Sequence, residues 1–208
     1  MSQPAADEKH VLVRGLFDIG ALRFGEFTLK SGMTSPFYVD LRVVISFPDM
    51  LARIGALMAD LVSRCPVDRI AGIPYAGLPL AVATSLAGGF PLIYPRHAEK
   101  SSHGIRRRIE GHHAPGERVV VIDDIVTDGG SKLEAIEALE AEGLRVQDLV
   151  VLIVREQGGA ERLGARGYIL HAVLGINQCF DELDRAGVVE PGMLRASREF
   201  LRATRVTP

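Results

Sequence analysis

The residues best suited to chemistry lie in one short segment, 119–131, which reads VVVIDDIVTDGGS. Two adjacent carboxylates, Asp123 and Asp124, suit the two cis hydroxyls of a ribose, because ionised carboxylates accept hydrogen bonds. The turn over residues 127–131 has little side-chain bulk, so its backbone N–H groups can approach a phosphate closely. The segment therefore predicts a site that holds a ribose and a phosphate together.

A buried strand and a helix are expected to position this segment. The apolar run over residues 118–122 predicts a strand, and ligands bind at the carboxyl ends of strands in open α/β sheets. A helix is predicted over residues 132–142, with Gly143 as its C-cap, and its N-terminus adds a favourable dipole for an anion. The sequence contains neither a Walker A loop nor a dinucleotide-binding glycine fingerprint.

Helical and strand patterns alternate along the rest of the chain. This alternation predicts an α/β fold with a central, mainly parallel sheet flanked by helices. The length predicts a single domain over residues 1–208. Further helices are expected over residues 7–22, 48–61, 78–86 and around 193–201. Extended segments are expected over residues 26–30, 36–41, 69–73, 92–94, 149–154 and 168–174.

The composition excludes several classes of protein. With 47% hydrophobic and 24% charged residues, the chain is typical of a globular protein rather than a disordered or fibrous one. The net charge of −2 provides no overall positive field for nucleic acid. Neither a membrane span nor a signal peptide is predicted, and Cys65 and Cys179 are expected to be two reduced thiols. We therefore expect a cytoplasmic protein that binds neither membrane nor nucleic acid.

Residues 95–117 are rich in basic side chains and contain almost no apolar ones. A structureless segment of this length inside a compact domain is commonly a lid or a binding loop. It is therefore predicted to be a long mobile loop, and a solvated basic surface segment is the alternative.

Segment 119–131 resembles the binding motif for 5-phosphoribosyl-1-pyrophosphate (PRPP) in the type I phosphoribosyltransferases. The resemblance implies that Asp123 and Asp124 hold the ribose hydroxyls. It implies that the 5′-phosphate is bound by the turn, which consists of Thr127, Asp128, Gly129, Gly130 and Ser131. A carboxylate near a phosphate is repulsive, so Asp128 fits this role if its backbone faces the phosphate and its side chain faces water.

Three further stretches are similar to the orotate phosphoribosyltransferases within that family. They are residues 27–42 (FTLKSGMTSPFYVDLR), 72–81 (GIPYAGLPLA) and 155–159 (REQGG). The resemblance implies orotate contacts from Lys30, Phe37, Tyr38, Thr127 and Arg155, and a pyrophosphate-side loop with Tyr75 and Ala76. The planar guanidinium of Arg155 matches the orotate carboxylate in a bidentate way. Taken singly, each of these residues is better explained as a surface or core position, but their occurrence together and in the family's order favours the resemblance.

The long loop of this family carries basic residues that close over PRPP. Here the resemblance implies catalytic contributions from Lys100, Arg96 and His103. This chain has one extra residue between Lys100 and His103, so a register with Ser101 in the lysine position stays open. A second departure is Val154, which stands where the family often has an acid before the arginine.

The resemblance also implies a small N-terminal hood, formed by about residues 1–45 together with C-terminal elements. It implies transfer of phosphoribosyl from PRPP to orotate, which gives orotidine 5′-monophosphate and pyrophosphate. Mg²⁺ is then expected as the cofactor, held by PRPP oxygens without direct protein ligands, and a homodimer is expected. Two alternatives stay open: a phosphoribosyltransferase for another base, and a PRPP-sensing regulator that binds nucleic acid or a protein partner.

Overall fold

The computed structural model describes residues 6–29, 32–96 and 108–206. The strands within these residues are β1 (Leu22–Thr28), β2 (Thr34–Val39), β3 (Arg69–Gly72), β4 (Leu92–Pro95), β5 (Ile109–Glu110), β6 (Arg118–Val126), β7 (Arg145–Val154) and β8 (Ile169–Gly175). Six of them form one sheet in the order β5-β4-β3-β6-β7-β8, in which only β4 and β5 pair antiparallel. The predicted α/β fold with a mainly parallel sheet is confirmed.

Helices cover both faces of this sheet. Along the described chain they are α1 (Ala6–Asp18), α2 (Pro48–Val62), α3 (Gly77–Gly88), α4 (Gly130–Glu140), α5 (Gly159–Gly164), α6 (Ile176–Arg185) and α7 (Pro191–Ala203), with a 3₁₀ turn at Leu41–Ser46. Pro48 begins α2 as predicted, because its fixed φ suits the first position of a helix. None of the helices in these described ranges is long and apolar enough to cross a membrane.

The two central strands of the sheet, β6 and β7, are buried on both faces. In β6, Val120 and Ile122 belong to the apolar cluster with residues of α1, α2, α3, α6 and α7. Val119 and Val121 belong to a second cluster with residues of α4 and α5. Because successive strand residues point to opposite faces, an unbroken apolar run suits a strand with helices on both sides.

The carboxyl ends of β3, β6 and β7 lie side by side, because these strands are adjacent and parallel. Backbone hydrogen bonds continue the alignment past the sheet. The amide of Ile73 donates to the carbonyl of Ile122 at 3.0 Å, and the amide of Arg155 donates to the carbonyl of Val126 at 2.9 Å. The segments that follow the three strands therefore meet at one edge of the sheet.

The hairpin of β1 and β2 forms a separate two-stranded sheet near the chain ends. The ring of Phe37 in β2 lies 5.2 Å from that of Phe180 in α6 and 6.2 Å from that of Phe200 in α7, between centroids. These contacts join the N-terminal hairpin to the last two helices, which is the arrangement predicted for the hood.

The loop predicted over residues 95–117 extends too far toward the C-terminus, because part of that range forms a strand. Residues 108–117 are described, and within them β5 pairs with β4 through Tyr94 and Glu110. Ile109 is only 1% exposed, and the Arg69 guanidinium pairs with the Glu117 carboxylate. The sequence did not predict the structure of residues 108–117, because the pairing of β5 with β4 is non-local and depends on a single apolar side chain, that of Ile109. Residues 97–107 lie outside the described residues.

Other elements differ from expectation for local reasons. The first helix ends at Asp18 rather than near residue 22, because Gly20 adopts a positive φ of 75° and the chain turns into β1. The short helix α5 and the polar helix α6 were not expected. Helix α5 has only six residues, too few to give a clear helical period. Helix α6 was overlooked although its buried apolar residues follow the i, i+3, i+4, i+7 spacing of a helix face: Ile176, Cys179, Phe180 and Leu183. The assignment of the chain to a single domain stays a prediction.

Helices α2 and α3 cross at Gly55, and this contact generates a stability prediction. A Cβ atom at Gly55 would lie 2.7 Å from the backbone carbon and the Cβ of Ala83. We expect Gly55→Ala to lower the free energy of unfolding by roughly 1–3 kcal/mol, because the helices must separate. Urea denaturation measures this change.

The matched control is Gly164→Ala, because a Cβ at Gly164 meets no heavy atom within 4 Å. This variant should be neutral or slightly more stable than the parent protein, since alanine lowers the entropy of the unfolded chain. Equal effects of the two substitutions would contradict the proposed close approach at Gly55.

Candidate active site

The two acidic residues of the sequence motif lie at the carboxyl end of β6, inside the strand. Asp123 is 4% exposed, and its Oδ2 lies 2.6 Å from the Nζ of Lys132, which is 7% exposed. A buried carboxylate is costly unless a cation and hydrogen bonds compensate it. The ion pair therefore fixes Asp123 against the first turn of α4.

Asp124 lies in a different electrostatic environment from its neighbour. Burial, together with the nearby charge and hydrogen bond of Asp123, raises the pKa of Asp124 to about 7, and Lys132 opposes this rise. One oxygen of the Asp124 side chain accepts a hydrogen bond from the amide of Ile125 at 2.8 Å. The two adjacent carboxylates therefore lie in different electrostatic environments. Carboxyl groups whose pKa is shifted in this way are often found at functional sites.

The loop after β3 reaches the acidic pair because residue 77 is glycine. A Cβ at Gly77 would lie 2.7 Å from Oδ1 of Asp123 and 2.9 Å from the carbonyl oxygen of Ile122. The predicted pyrophosphate-side residues precede it: Tyr75 is exposed, its peptide bond to Pro74 is cis, and Ala76 is the N-cap of α3. This loop thus borders Asp123 directly.

The turn after β6 is the segment that was predicted to bind a phosphate. Gly129 adopts a φ of 79° as the N-cap of α4, a conformation that favours glycine. The Asp128 carboxylate accepts a hydrogen bond from the amide of Gly130 at 3.2 Å, and its Oδ2 lies 3.9 Å from Arg162. Asp128 thus points its side chain toward Gly130 and Arg162, and the first turn of α4 retains the N-terminal dipole that favours an anion.

The segment after β7 supports the same turn. The amide of Gly159 donates to the carbonyl of Thr127 at 3.0 Å. A Cβ at Gly159 would lie 2.6 Å from that carbonyl oxygen, so only glycine allows this approach. The structure therefore brings together the predicted residues of this turn and the glycines of the REQGG stretch.

Arg155 is partly buried above an aromatic ring. Its Cζ lies 4.9 Å from the ring centroid of Phe37, and desolvation lowers the pKa of the guanidinium from its usual value. Its Nε is buried and has no hydrogen-bond partner among the described residues. A partly desolvated cation with an unused donor is suited to an anionic group of a ligand.

The neighbouring acid is directed away from Arg155. Glu156 adopts a positive φ of 57°, and its carboxylate accepts a hydrogen bond from the side-chain amide of Asn177 at 2.5 Å. Val154, at the end of β7, supplies no charge beside the guanidinium. The local sequence therefore leaves Arg155 without the internal counter-ion that Glu156 could have provided.

Residues near the C-terminus form hydrogen bonds with the REQGG stretch (residues 155–159). The Gln157 side-chain amide donates to the Thr204 hydroxyl at 2.5 Å, and the amide of Val206 donates to the carbonyl of Gln157 at 3.1 Å. A Cβ at Gly158 would lie 2.1 Å from the carbonyl oxygen of Val206. Sequence reasoning missed this contact, because no local pattern links residues so far apart.

Phe37 and Tyr38 were both predicted to contact orotate, but they point to opposite faces of β2. Phe37 is 1% exposed and supports Arg155 from below. The Tyr38 ring lies 5.5 Å from that of Phe27 and 5.3 Å from the guanidinium carbon of Arg23. The two rings therefore do not form one pocket wall in this structure.

The remaining predicted residues are those of the loop and Lys30. Arg96 lies at the start of the loop, where its Nη1 is 3.3 Å from Oε1 of Glu110. Lys30, Lys100 and His103 lie outside the described residues, so their roles stay predictions.

Lys132 is the functional residue that sequence reasoning overlooked. A signal was present, since Lys132, Ile136 and Leu139 follow the i, i+4, i+7 spacing of a buried helix face. A lysine in phase with apolar residues requires a buried acidic partner. Asp123, at the end of the strand before this helix, is that partner.

The comparisons with known proteins agree with this geometry. A family model described as phosphoribosyl transferase domain matches residues 46–166. The orotate phosphoribosyltransferase of Cenarchaeum symbiosum (strain A) is 39% identical over 184 residues, which are 86% of this chain and 92% of that protein. The chain belongs to the orotate phosphoribosyltransferase family.

Solved structures of other family members have the same fold. The UMP synthase of Leishmania donovani is 39% identical with a TM-score of 0.85, and the match covers 94% of this chain and 42% of that one. The orotate phosphoribosyltransferase of Mycobacterium tuberculosis H37Rv in complex with PRPP is 28% identical with a TM-score of 0.69, covering 83% and 98%. This chain spans less than half the length of the longer relatives it matches.

The ion pair between Asp123 and Lys132 leads to a prediction for this family member. We expect Lys132→Met to lower the free energy of unfolding by roughly 3–5 kcal/mol, because a buried carboxylate loses its partner. Urea denaturation followed by circular dichroism measures the loss. The double variant Asp123→Asn/Lys132→Met should recover most of it, since neither charge then remains; a double variant as unstable as the single one would contradict the pairing.

The raised pKa of Asp124 predicts a pH-dependent cost in stability. As the pH rises from about 4 to 7, the carboxyl ionises in the unfolded chain but stays protonated in the folded one. The free energy of unfolding should therefore fall over this range by an amount on the order of 2–4 kcal/mol relative to Asp124→Asn. Urea denaturation at pH 5, 6, 7 and 8 tests this, with the exposed Glu199→Gln as control. A difference between Asp124→Asn and the parent that does not change with pH would contradict the shift.

Proposed function

We propose that this chain transfers phosphoribosyl from PRPP to orotate, giving orotidine 5′-monophosphate and pyrophosphate. The observation that carries the proposal is the partly buried guanidinium of Arg155, whose buried Nε has no partner among the described residues. The carboxylate of orotate is planar and anionic, so it matches the guanidinium fork in shape and charge. Bases without a carboxylate would leave this cation unpaired, which favours orotate over uracil or a purine.

The adjoining acidic pair and turn support PRPP as the phosphoribosyl donor. Asp123 and Asp124 offer carboxylate oxygens to the ribose hydroxyls, and the turn at residues 127–131 offers the N-terminus of α4 to the 5′-phosphate. Arg155 lies beside this turn through its backbone contact with Val126. The ribose and the base can therefore be held next to each other along one edge of the sheet.

The proposed reaction breaks the bond from the anomeric carbon to pyrophosphate and forms a bond from that carbon to a ring nitrogen of orotate. Positive charge develops on the ribose while negative charge grows on the departing pyrophosphate. The protein assists mainly by positioning the reactants and by stabilising these charges. We assign the pyrophosphate side to the loop with Tyr75 and Ala76, and to Arg96, Lys100 and His103.

The donor set of the site fits a Mg²⁺ ion that arrives with PRPP. Asp123 is already paired with Lys132, which leaves Asp124 as the member of the acidic pair available to the ion or to its water ligands. Mg²⁺ prefers oxygen ligands, usually keeps several waters and binds substrate phosphates. When bound, it would add positive charge beside the pyrophosphate.

We also propose that the chain forms a homodimer through the outer face of α3. Val82 and Leu86 on this helix are exposed, and so are Ile45 and Phe47 before α2. Val82 and Leu86 are four residues apart and therefore share one face of α3, and exposed apolar side chains on one face are typical of an interaction surface.

The test of the activity is a spectrophotometric assay of purified protein with PRPP, Mg²⁺ and orotate. Loss of orotate absorbance is expected, with no turnover of uracil or hypoxanthine. Turnover of another base instead would replace the proposed substrate. Saturable PRPP binding without turnover of any base would favour the regulator alternative.

Arg155 provides the sharpest substitution within that assay. We expect Arg155→Gln to raise the KM for orotate roughly 10- to 100-fold, because a charge-assisted bidentate contact is lost. The KM for PRPP should change little. The matched control is Arg166→Gln, because Arg166 is an exposed arginine that follows the C-terminal end of α5 and pairs with Glu137. An unchanged KM for orotate in Arg155→Gln would remove the basis of the proposal.

A further inference from the structure

A cluster of three metal-ligating side chains lies away from the active-site edge. Cys65 follows α2, Asp148 lies near the amino end of β7, and His171 is in β8. Their ligand atoms all lie within 4.8 Å of one another. Arg155 follows the opposite end of β7, so this cluster is separate from the site described above.

The cluster is assembled by the register of the sheet. Asp148 pairs with Ile169, and Val150 pairs with His171. Asp148 and His171 are therefore diagonal neighbours on one face of the sheet, because side chains two residues apart share a face. Helix α2 packs on β7 and β8, and Cys65, which follows the C-terminal end of α2, lies next to Asp148 and His171.

We propose that Cys65, Asp148 and His171 bind a zinc ion. A thiolate, an imidazole and a carboxylate are the three ligand types that zinc takes in proteins, and four-coordinate geometry leaves one position for water. Calcium and magnesium are disfavoured, since both prefer sites made of oxygen ligands. With a neutral imidazole, the thiolate and the carboxylate balance the charge of the ion, so its burial leaves no net charge.

Two of the three separations between the ligand atoms can be compared with this coordination. Zinc–sulfur and zinc–nitrogen bonds of about 2.3 and 2.0–2.1 Å at a tetrahedral angle imply a sulfur–nitrogen separation of about 3.5 Å. The Sγ of Cys65 lies 3.6 Å from Nε2 of His171. The same nitrogen lies 2.8 Å from Oδ1 of Asp148, where a tetrahedral site requires about 3.4 Å. Replacing this hydrogen bond by the ion thus requires a shift of about half an ångström at one carboxylate.

The cluster is accessible from one side. Cys65 and Asp148 are buried, whereas the His171 side chain is 31% exposed. His171 also lines a cavity of about 200 Å³ beside α2, together with Asp60 and Lys9. The site would then tie the end of α2 to β7 and β8, and metal binding would stabilise the folded chain.

The test uses the full chain after chelation and removal of the chelator. Titration with Co²⁺, which substitutes for zinc and is coloured, should give one equivalent per chain and a thiolate-to-cobalt charge-transfer band. Zn²⁺ should abolish the band at equal stoichiometry, and excess Mg²⁺ should leave it unchanged. Zn²⁺ should also raise the Tm by several degrees.

Cysteine variants decide which thiol is the ligand. Cys65→Ser should remove the charge-transfer band. It should also weaken zinc binding at least 100-fold, because loss of a residue that only hydrogen-bonds to a metal ligand already weakens binding about 10- to 100-fold. Cys179→Ser is the matched control, because Cys179 is a buried free cysteine outside the cluster, and it should keep the band.

A wild-type chain that binds less than a tenth of an equivalent of zinc would overturn the proposal. So would a Cys65→Ser variant that binds zinc as tightly as the parent. Circular dichroism of each chain before titration shows whether it is folded, and Asp148→Asn offers a second ligand variant if Cys65→Ser is not. That variant should also weaken zinc binding.

Discussion

The ion pair between Asp123 and Lys132 is the contact on which the candidate active site depends. It allows a carboxylate to be buried at the end of an apolar strand, and it anchors the first turn of α4 at the same place. The pair also shapes the environment of Asp124, because burial of its carboxyl beside the charge of Asp123 raises its pKa. The acid proposed to bind the ribose hydroxyls and the helix end proposed to bind the phosphate thus depend on one ion pair.

The parallel arrangement of the strands brings further chemical groups close to this ion pair. Because β3, β6 and β7 are neighbours in the sheet, the three segments that follow them are also neighbours. Glycines at 77 and 159 let these segments approach closely, since a Cβ at either position would overlap Asp123 or Thr127. The sheet order therefore determines which chemical groups can act on one ligand.

Residues distant from the substrate maintain this geometry from two directions. From the hood, Phe37 holds the guanidinium of Arg155, while the chain end at Thr204 and Val206 holds the next residue, Gln157. The cluster of Cys65, Asp148 and His171 lies near the other end of the strands, where it would affect folding rather than catalysis.

The alternation of strands and helices, the acidic pair with its glycine turn, and the arginine after β7 could all be predicted from the sequence. These features are local, because each depends on periodicity or on residue types within about a dozen positions. Three other features became visible only in the folded chain: Lys132 neutralises Asp123, Phe37 rather than Tyr38 is the buried ring, and β5 orders part of the predicted loop. Those outcomes depend on contacts between residues far apart in the chain or on which face of an element is buried, and neither is encoded in a short stretch of sequence.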